Sequence, residues 1–221
     1  LWVTELTSCP RRRQYRILGG FEELPDHYLQ VLGKSGHSYI QKMLQGEQPE
    51  LDFSAFPEAA DELRLELEPS LANFKAWLES TKIDLSDAQC EVLLEMPLEA
   101  GYILRGRIDL LTPTHIVDFK FGKKQNKREY RVQLAAYLRL VEAAGLGSRT
   151  PINVFLGGLR PVEFNPFENP RTSLQGALKL LDDLIHEQMR YTQRILEGGS
   201  APCKIGIECA FCRYRHICRG V

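Results

Sequence analysis

Three short runs rich in Val, Ile and Leu in the middle of the chain constrain its fold more than any other feature. Glu91 to Leu98, Tyr102 to Leu111 and His115 to Phe121 are separated only by Glu99-Ala100-Gly101 and Thr112-Pro113-Thr114, both turn sequences. Connections this short suit antiparallel neighbours, so the runs read as a three-strand meander. The period then changes. Arg128 to Ala143 places Val132, Ala135, Ala136, Leu140 and Ala143 on one stripe, a helix. Two further strands, near Pro151 to Leu156 and Arg160 to Phe164, precede a long helix from about Thr172 to Glu197, stopped by Gly198-Gly199-Ser200. Ahead of the meander, helices are expected at Ser8 to Leu18 (Ser8 capping, Pro10 in the first turn), His27 to Leu44 and about Pro57 to Ser80. The expected class is α/β (α+β), a central mixed β-sheet flanked by helices. Its 221 residues suit a single domain. Within it, 1–89 is a helical N-terminal part, 90–165 a core of sheet and helix, and 166–221 a long helix with a cysteine-rich tail.

Folding at this length buries roughly 70% of the chain's surface, so a core forms without staples. The longest apolar run, Leu134 to Leu138, is far shorter than the about 20 residues a bilayer requires, so no membrane partner is expected. No basic-then-apolar leader is recognisable, and a cytoplasmic location is the default. The 28 basic and 29 acidic residues nearly cancel but are unevenly placed. Phe119 to Arg131 carries a net +5, including Lys123, Lys124, Lys127 and Arg128; Arg11, Arg12, Arg13 and Arg16 add +4; Gly46 to Glu68 carries −7. Basic blocks brought together would form a phosphate-binding surface; apart, each is a solvated face.

Cysteines cluster at the two ends of the sequence. Cys209, Cys212 and Cys218 form C-x2-C-x5-C, with Cys203 just before and Cys9 near the start, while Cys90 lies on a strand as a core residue. In a reducing compartment such spacing points to a metal or redox site rather than disulfides. One knuckle plus one cysteine leaves a fourth ligand to find, and Cys203 and Cys9 are the candidates. Thiolates from both ends around an iron–sulfur cluster would clasp the fold.

The carboxylates come from the meander. Asp118 and Lys120, two apart in the third strand, face the same side, and the hairpin can bring Asp109 beside Asp118. Adjacent carboxylates in a core strand repel and lose solvation, and a divalent cation such as Mg²⁺ or Mn²⁺ would stabilise them. Lys120 would then position a metal-activated water. Gln133 and Tyr137, four apart, share the face of the following helix that can look back over these strand ends, and His37 sits on a helix before the sheet.

Taken in order, Cys9-Pro10, Gly36-His37, Gly106-Arg107-Ile108-Asp109, Val117-Asp118-Phe119-Lys120, Gln133-Leu134-x-x-Tyr137 and the closing C-x2-C-x5-C resemble the PD-(D/E)xK nuclease superfamily, in its RecB-like iron–sulfur branch. The small size is most similar to the CRISPR-associated exonuclease of spacer acquisition. The resemblance implies a restriction-endonuclease-like core whose N- and C-terminal segments are joined by a cluster. It implies that His37, Asp109 and Asp118, with the Phe119 carbonyl, hold the divalent metal, and that Lys120 is the catalytic lysine. Gln133 and Tyr137 would support the site or the DNA, and Cys9, Cys209, Cys212 and Cys218 would hold a [4Fe–4S] cluster. It further implies a DNA exonuclease of 5′→3′ polarity working with CRISPR integration proteins or in DNA repair. Asp118 stands where many members have Glu, and Cys203 falls outside the usual four.

Two other classes compete. One is a DNA-binding or assembly subunit with an idle site, which a missing ligand or lysine would betray; none is missing. The other is a zinc-clasped binding module, which would be colourless and free of sulfide. Gly33-Lys34-Ser35 ends like a P-loop, but Tyr28 stands where its first glycine belongs, so no ATP is expected.

Overall fold

The computed structural model describes residues 1–125, 127–169 and 172–218. Its helices are α1 (Pro10–Leu18), α2 (Tyr28–Leu44), α3 (Ala60–Ser80), α4 (Arg128–Ala143) and α5 (Leu174–Leu196). Its strands are β1 (Gln89–Pro97), β2 (Ile103–Leu111), β3 (His115–Lys120), β4 (Thr150–Phe155) and β5 (Val162–Phe164). They form one mixed sheet in the order β1-β2-β3-β4-β5, antiparallel throughout except for the parallel pair β3–β4, which α4 connects. This is the expected α+β arrangement. Among the described residues no helix is long and apolar enough to cross a membrane.

Alternation along β3 divides its side chains between two cores. Ile116 joins Leu104 and Ile108 of β2 against Val132, Tyr137 and Leu140 of α4 and Leu181 and Ile185 of α5. Val117 and Phe119 join Ile152 and Val154 of β4 against Ile40 of α2 and Phe74 and Trp77 of α3. Asp118 and Lys120 share the parity of Ile116, so they face α4.

Two positions need glycine because helices approach the sheet closely. A Cβ on Gly106 would stand 3.0 Å from the Tyr137 ring and 2.6 Å from Leu140 Cδ1, so glycine lets α4 settle on β2. A Cβ on Gly36 would overlap the Phe121 ring, and its absence lets α2 lie on the end of β3.

Local starts differ from expectation at two helices. Cys9, not Ser8, precedes α1; Pro10 occupies its first position, and Ser8 Oγ donates back to Glu5 O (2.9 Å) in a preceding 3-10 turn. Pro57–Ala59 is a separate 3-10 turn leading into α3. At α2, His27 Nδ1 accepts from Leu29 N–H at 3.3 Å.

Candidate active site and thiol cavity

The β2–β3 ladder is short. Leu110 pairs with Val117 and Leu111 with Ile116, and the next step would set Asp109 opposite Asp118. There the ladder ends. The Asp109 carboxylate reaches into the gap, and its Oδ2 accepts the Phe119 N–H at 2.8 Å. The splayed strands form the floor of an open cleft of 540 Å³ lined by His37, Glu91, Asp109, Asp118, Lys120, Gln133 and Tyr137. All six residues singled out in the sequence for this chemistry therefore meet.

A polar chain crosses the cleft floor. Lys120 Nζ contacts Asp118 Oδ2 at 2.6 Å and donates to Gln133 Oε1 at 2.9 Å; Gln133 Nε2 donates to Tyr137 OH at 2.9 Å. An ammonium has three protons, and among the described residues Asp118 and Gln133 take two of them. The Tyr130 ring lies 4.8 Å below the same ammonium.

His37 Nδ1 stands 3.4 Å from Asp109 Oδ2, and the Phe121 ring meets the imidazole edge-on with centroids 5.1 Å apart. Ligand atoms of His37, Glu91 and Asp109 all lie within 4.8 Å of one another. Glu91 was not anticipated from the sequence, and it replaces Asp118 in the tightest trio. It falls opposite Asp109 in the β1–β2 register, between the pairs Cys90↔Leu110 and Val92↔Ile108. Its backbone is left-handed, with φ 53°, a conformation that costs a side-chain-bearing residue about 1–3 kcal/mol. A sequence signal existed: Glu91 and Asp109 each stand nine positions from Ala100, at the hairpin's turn.

Asp118 lies in the same cleft, 1% exposed and held from behind. Asn153, its partner across the parallel β3–β4 pair, donates from Nδ2 to Asp118 Oδ2 at 2.7 Å. Asn153 is also 1% exposed, and among the described residues its own Oδ1 has no hydrogen-bond partner. Asn153 was likewise missed, being a polar residue flanked by apolar ones in its strand. With Oδ2 taken by Asn153 and Lys120, Asp118 has Oδ1 left to offer a cation.

The electrostatics suit a cation. Burial, and then the neighbouring Asp118, raise the Asp109 pKa well above the usual carboxylate range despite Lys120 and the Phe119 amide. Burial holds His37 below its ordinary value, favouring the neutral imidazole that ligates metal. Burial pulls Lys120 down, but Asp118 and Asp109 outweigh it and its pKa is raised. Burial, and then Asp118, push Tyr137 well up. Two or three carboxylates and one imidazole, set against the Lys120 ammonium and the Arg107 guanidinium 3.3 Å from Glu91 Oε2, form a donor set that fits a hard divalent ion.

The basic blocks do not converge on this cleft. Lys123, Lys124, Lys127 and Arg128 are exposed in and after the loop leaving β3, with Lys124 Nζ 4.4 Å from the Phe164 ring centroid and Lys127 Nζ 5.6 Å from that of Tyr130. Lys34 and Arg107, not this block, join Lys120 as the cations lining the cleft. The arginines of α1 are tied down structurally: Arg11 Nε donates to Ala201 O (2.7 Å), Arg13 binds Gln188 O, Thr192 and Glu5, and Arg16 pairs with Glu5.

Cys9, Cys203, Cys209, Cys212 and Cys218 line a single cavity of 90 Å³ beside α1. Cys203 Sγ lies 3.7 Å from Cys218 Sγ, and Lys204 N–H donates to Cys9 Sγ at 3.3 Å. Burial, followed by the neighbouring Cys218 and Cys9 thiols, pushes the Cys203 thiol up to about 11. Five thiols converging from both ends of the sequence are a donor set for a soft metal centre. Cys90 stays apart, half-buried against the core of β3 and β4.

A model of the PD-(D/E)XK nuclease superfamily matches residues 3–219. The chain belongs to that superfamily. Two solved structures share the fold of this superfamily member. A candidate exonuclease from Eubacterium rectale is 13% identical, with a TM-score of 0.63 over 99% of this chain and 88% of that one. The protein SSO0001 is 18% identical, with a TM-score of 0.50 over 99% of this chain and 85% of that one. No curated protein matches.

Proposed function

We propose that residues 1–221 form one nuclease domain acting as a divalent-metal-dependent DNA exonuclease. The substrate is single-stranded DNA or single-stranded ends, digested 5′→3′, in the cytoplasm. The observation that carries this reading is the Asp118–Lys120–Gln133–Tyr137 chain lying beside the His37, Glu91 and Asp109 trio in one open cleft. His37, Glu91 and Asp109 would hold the ion, with Asp118 beside them through Oδ1. When bound, Mg²⁺ or Mn²⁺ polarises a phosphodiester oxygen and lowers the pKa of its water. Lys120, its ammonium fixed by Asp118 and Gln133, would position the attacking water or stabilise the charge growing on the phosphoryl oxygens. Gln133 and Tyr137 keep that ammonium in place. The exposed Lys123, Lys124, Lys127 and Arg128 would track the backbone of a strand entering the cleft.

The reading extends to the RecB-like iron–sulfur branch, with Cys9, Cys209, Cys212 and Cys218 holding a [4Fe–4S] cluster that joins the two ends of the fold. The motif order supports it, as does the meeting of those four thiols in one cavity. A role in CRISPR spacer acquisition, beside integration proteins, or in DNA repair follows from that branch.

The test is degradation of 5′- and 3′-end-labelled single- and double-stranded DNA with manganese, magnesium or chelator. Metal-dependent release from single-stranded 5′ ends is expected, with losses of about 100-fold or more in folded Asp109→Ala, Asp118→Ala and Lys120→Ala. A folded wild type that binds DNA and cleaves none of these substrates with either metal would instead be an assembly subunit.

A further inference from the structure

The thiol cavity holds one sulfur more than a four-cornered cluster uses. We infer that Cys203 is a ligand of this site and shares one coordination position with Cys218. The inference rests on the metal-bound reading of the cavity and adds a residue that reading leaves out.

Cys203 is placed by the fold, not by chance proximity. Arg11 Nε donates to Ala201 O at 2.7 Å, and Ala201 N–H donates to Gln14 Oε1 at 2.8 Å. Lys204 N–H donates to Cys9 Sγ at 3.3 Å, and Lys204 Nζ to Thr7 O at 3.2 Å. Four bonds flanking Cys203 therefore pin its segment to α1 and the turn before it, beside Cys9. Cys218 arrives from the other direction, on the last described turn of the tail, where its N–H donates to Tyr214 O at 3.0 Å.

The distance between the two sulfurs decides how they would serve a metal. At 3.7 Å, Cys203 Sγ and Cys218 Sγ are in contact. Sulfurs bound to a single tetrahedral metal at about 2.3 Å stand roughly 3.8 Å apart. Cysteine sulfurs on different irons of a cubane radiate away from its centre and stand well beyond contact. The pair thus addresses one metal atom. Each iron of a cubane already carries three sulfides and has one position open, so the two cysteines are alternatives for that position. A zinc ion, by contrast, would take both at once.

The experiment compares wild type, Cys203→Ser, Cys218→Ser and the double variant, purified without oxygen. Iron, acid-labile sulfide and zinc are measured per chain, alongside thermal melting. Iron and sulfide retained in both single variants and lost in the double is the expected result. Loss of the metal in Cys218→Ser alone, or its retention in the double variant, overturns the sharing. So does its loss in both single variants, the pattern of simultaneous ligation. Zinc without sulfide in the wild type removes the cluster reading, while the variants still report on Cys203. A wild type with neither metal removes both. Alkylation of the intact wild type, mapped by mass spectrometry, gives an answer independent of whether the double variant folds. Cys203 and Cys218 should react partially and together, whereas full protection of Cys218 beside free reaction of Cys203 would overturn the inference.

Discussion

Glu91 joins two properties that one substitution can separate. Its carboxylate belongs to the tightest trio of donors, and its φ of 53° is a conformation that glycine adopts freely. Glu91→Gly should therefore raise the thermal stability of the metal-free protein, by up to about 1 kcal/mol, while weakening manganese binding and metal-dependent cleavage. Melting in chelator and a manganese titration check the two halves; a variant that gained stability and kept its manganese affinity would exclude Glu91 from the ligand set. That Asp118, Lys120, Gln133 and Tyr137 would meet was legible in the sequence, because alternation in β3 and four-residue spacing in α4 are properties of sequence alone; Asp109 followed from the hairpin, and His37 entered only through the family resemblance. Glu91 and Asn153 were not legible. Their roles depend on which residue faces them across the sheet, Asp109 for one and Asp118 for the other, and a polar residue in a strand does not by itself announce its partner.

Helix α2 delivers His37 to Asp109 only because Gly36, beside it, lets the helix rest on Phe121. Gly36→Ala should force the helix away from β3, at a cost of about 1–3 kcal/mol for overpacking, and should reduce manganese affinity by moving the imidazole. Gly33→Ala, three residues earlier on the same helix with open space around it, should instead stabilise by roughly 0.5–1 kcal/mol and leave metal binding unchanged. Equal melting of the two variants would mean that the Phe121 contact does not seat the helix. The loop after β3 makes a second claim at this scale. Neutralising Lys123, Lys124 and Lys127 should weaken DNA binding with little regard to sequence and lower the salt slope by up to about three phosphates' worth; an unchanged slope would make this loop a solvated turn. The elements themselves were read well where periodicity is strong. Helix α4 spans Arg128–Ala143 as expected, and the meander and the mixed sheet follow from turn length and strand order. The misreadings lie at starts, such as Ser8 and Pro57, where a 3-10 turn competes with the helix for the same residues.

At the scale of the whole molecule, the sequence revealed that cysteines from both ends would meet but not that the arginines of α1 bind α5 and the tail. Charge counts treat every exposed-looking block alike, whereas Arg11 and Arg13 bond backbone carbonyls of Ala201 and Gln188. The same blindness applies to the near-neutral total of −1, which hides several carboxylates gathered in one cleft. Their repulsion makes stability depend on pH, and Asp109 sets the sign. Its folded pKa is raised by burial and by Asp118, while unfolded Asp titrates near its ordinary value of about 3.9. Between those two values the folded state holds a proton that the unfolded state has lost. Stability must then fall as pH rises through that window, because the folded chain binds more protons there. In chelator, Asp109→Asn should consequently melt above the wild type, and the gap should widen from about pH 4 towards neutrality; the amide can still accept the Phe119 N–H. Manganese should reverse the order at neutral pH, since a ligand that binds only the folded wild type raises its melting temperature. Identical melting curves for the two proteins across that pH range, with and without manganese, would show that Asp109 carries neither the buried charge nor the metal.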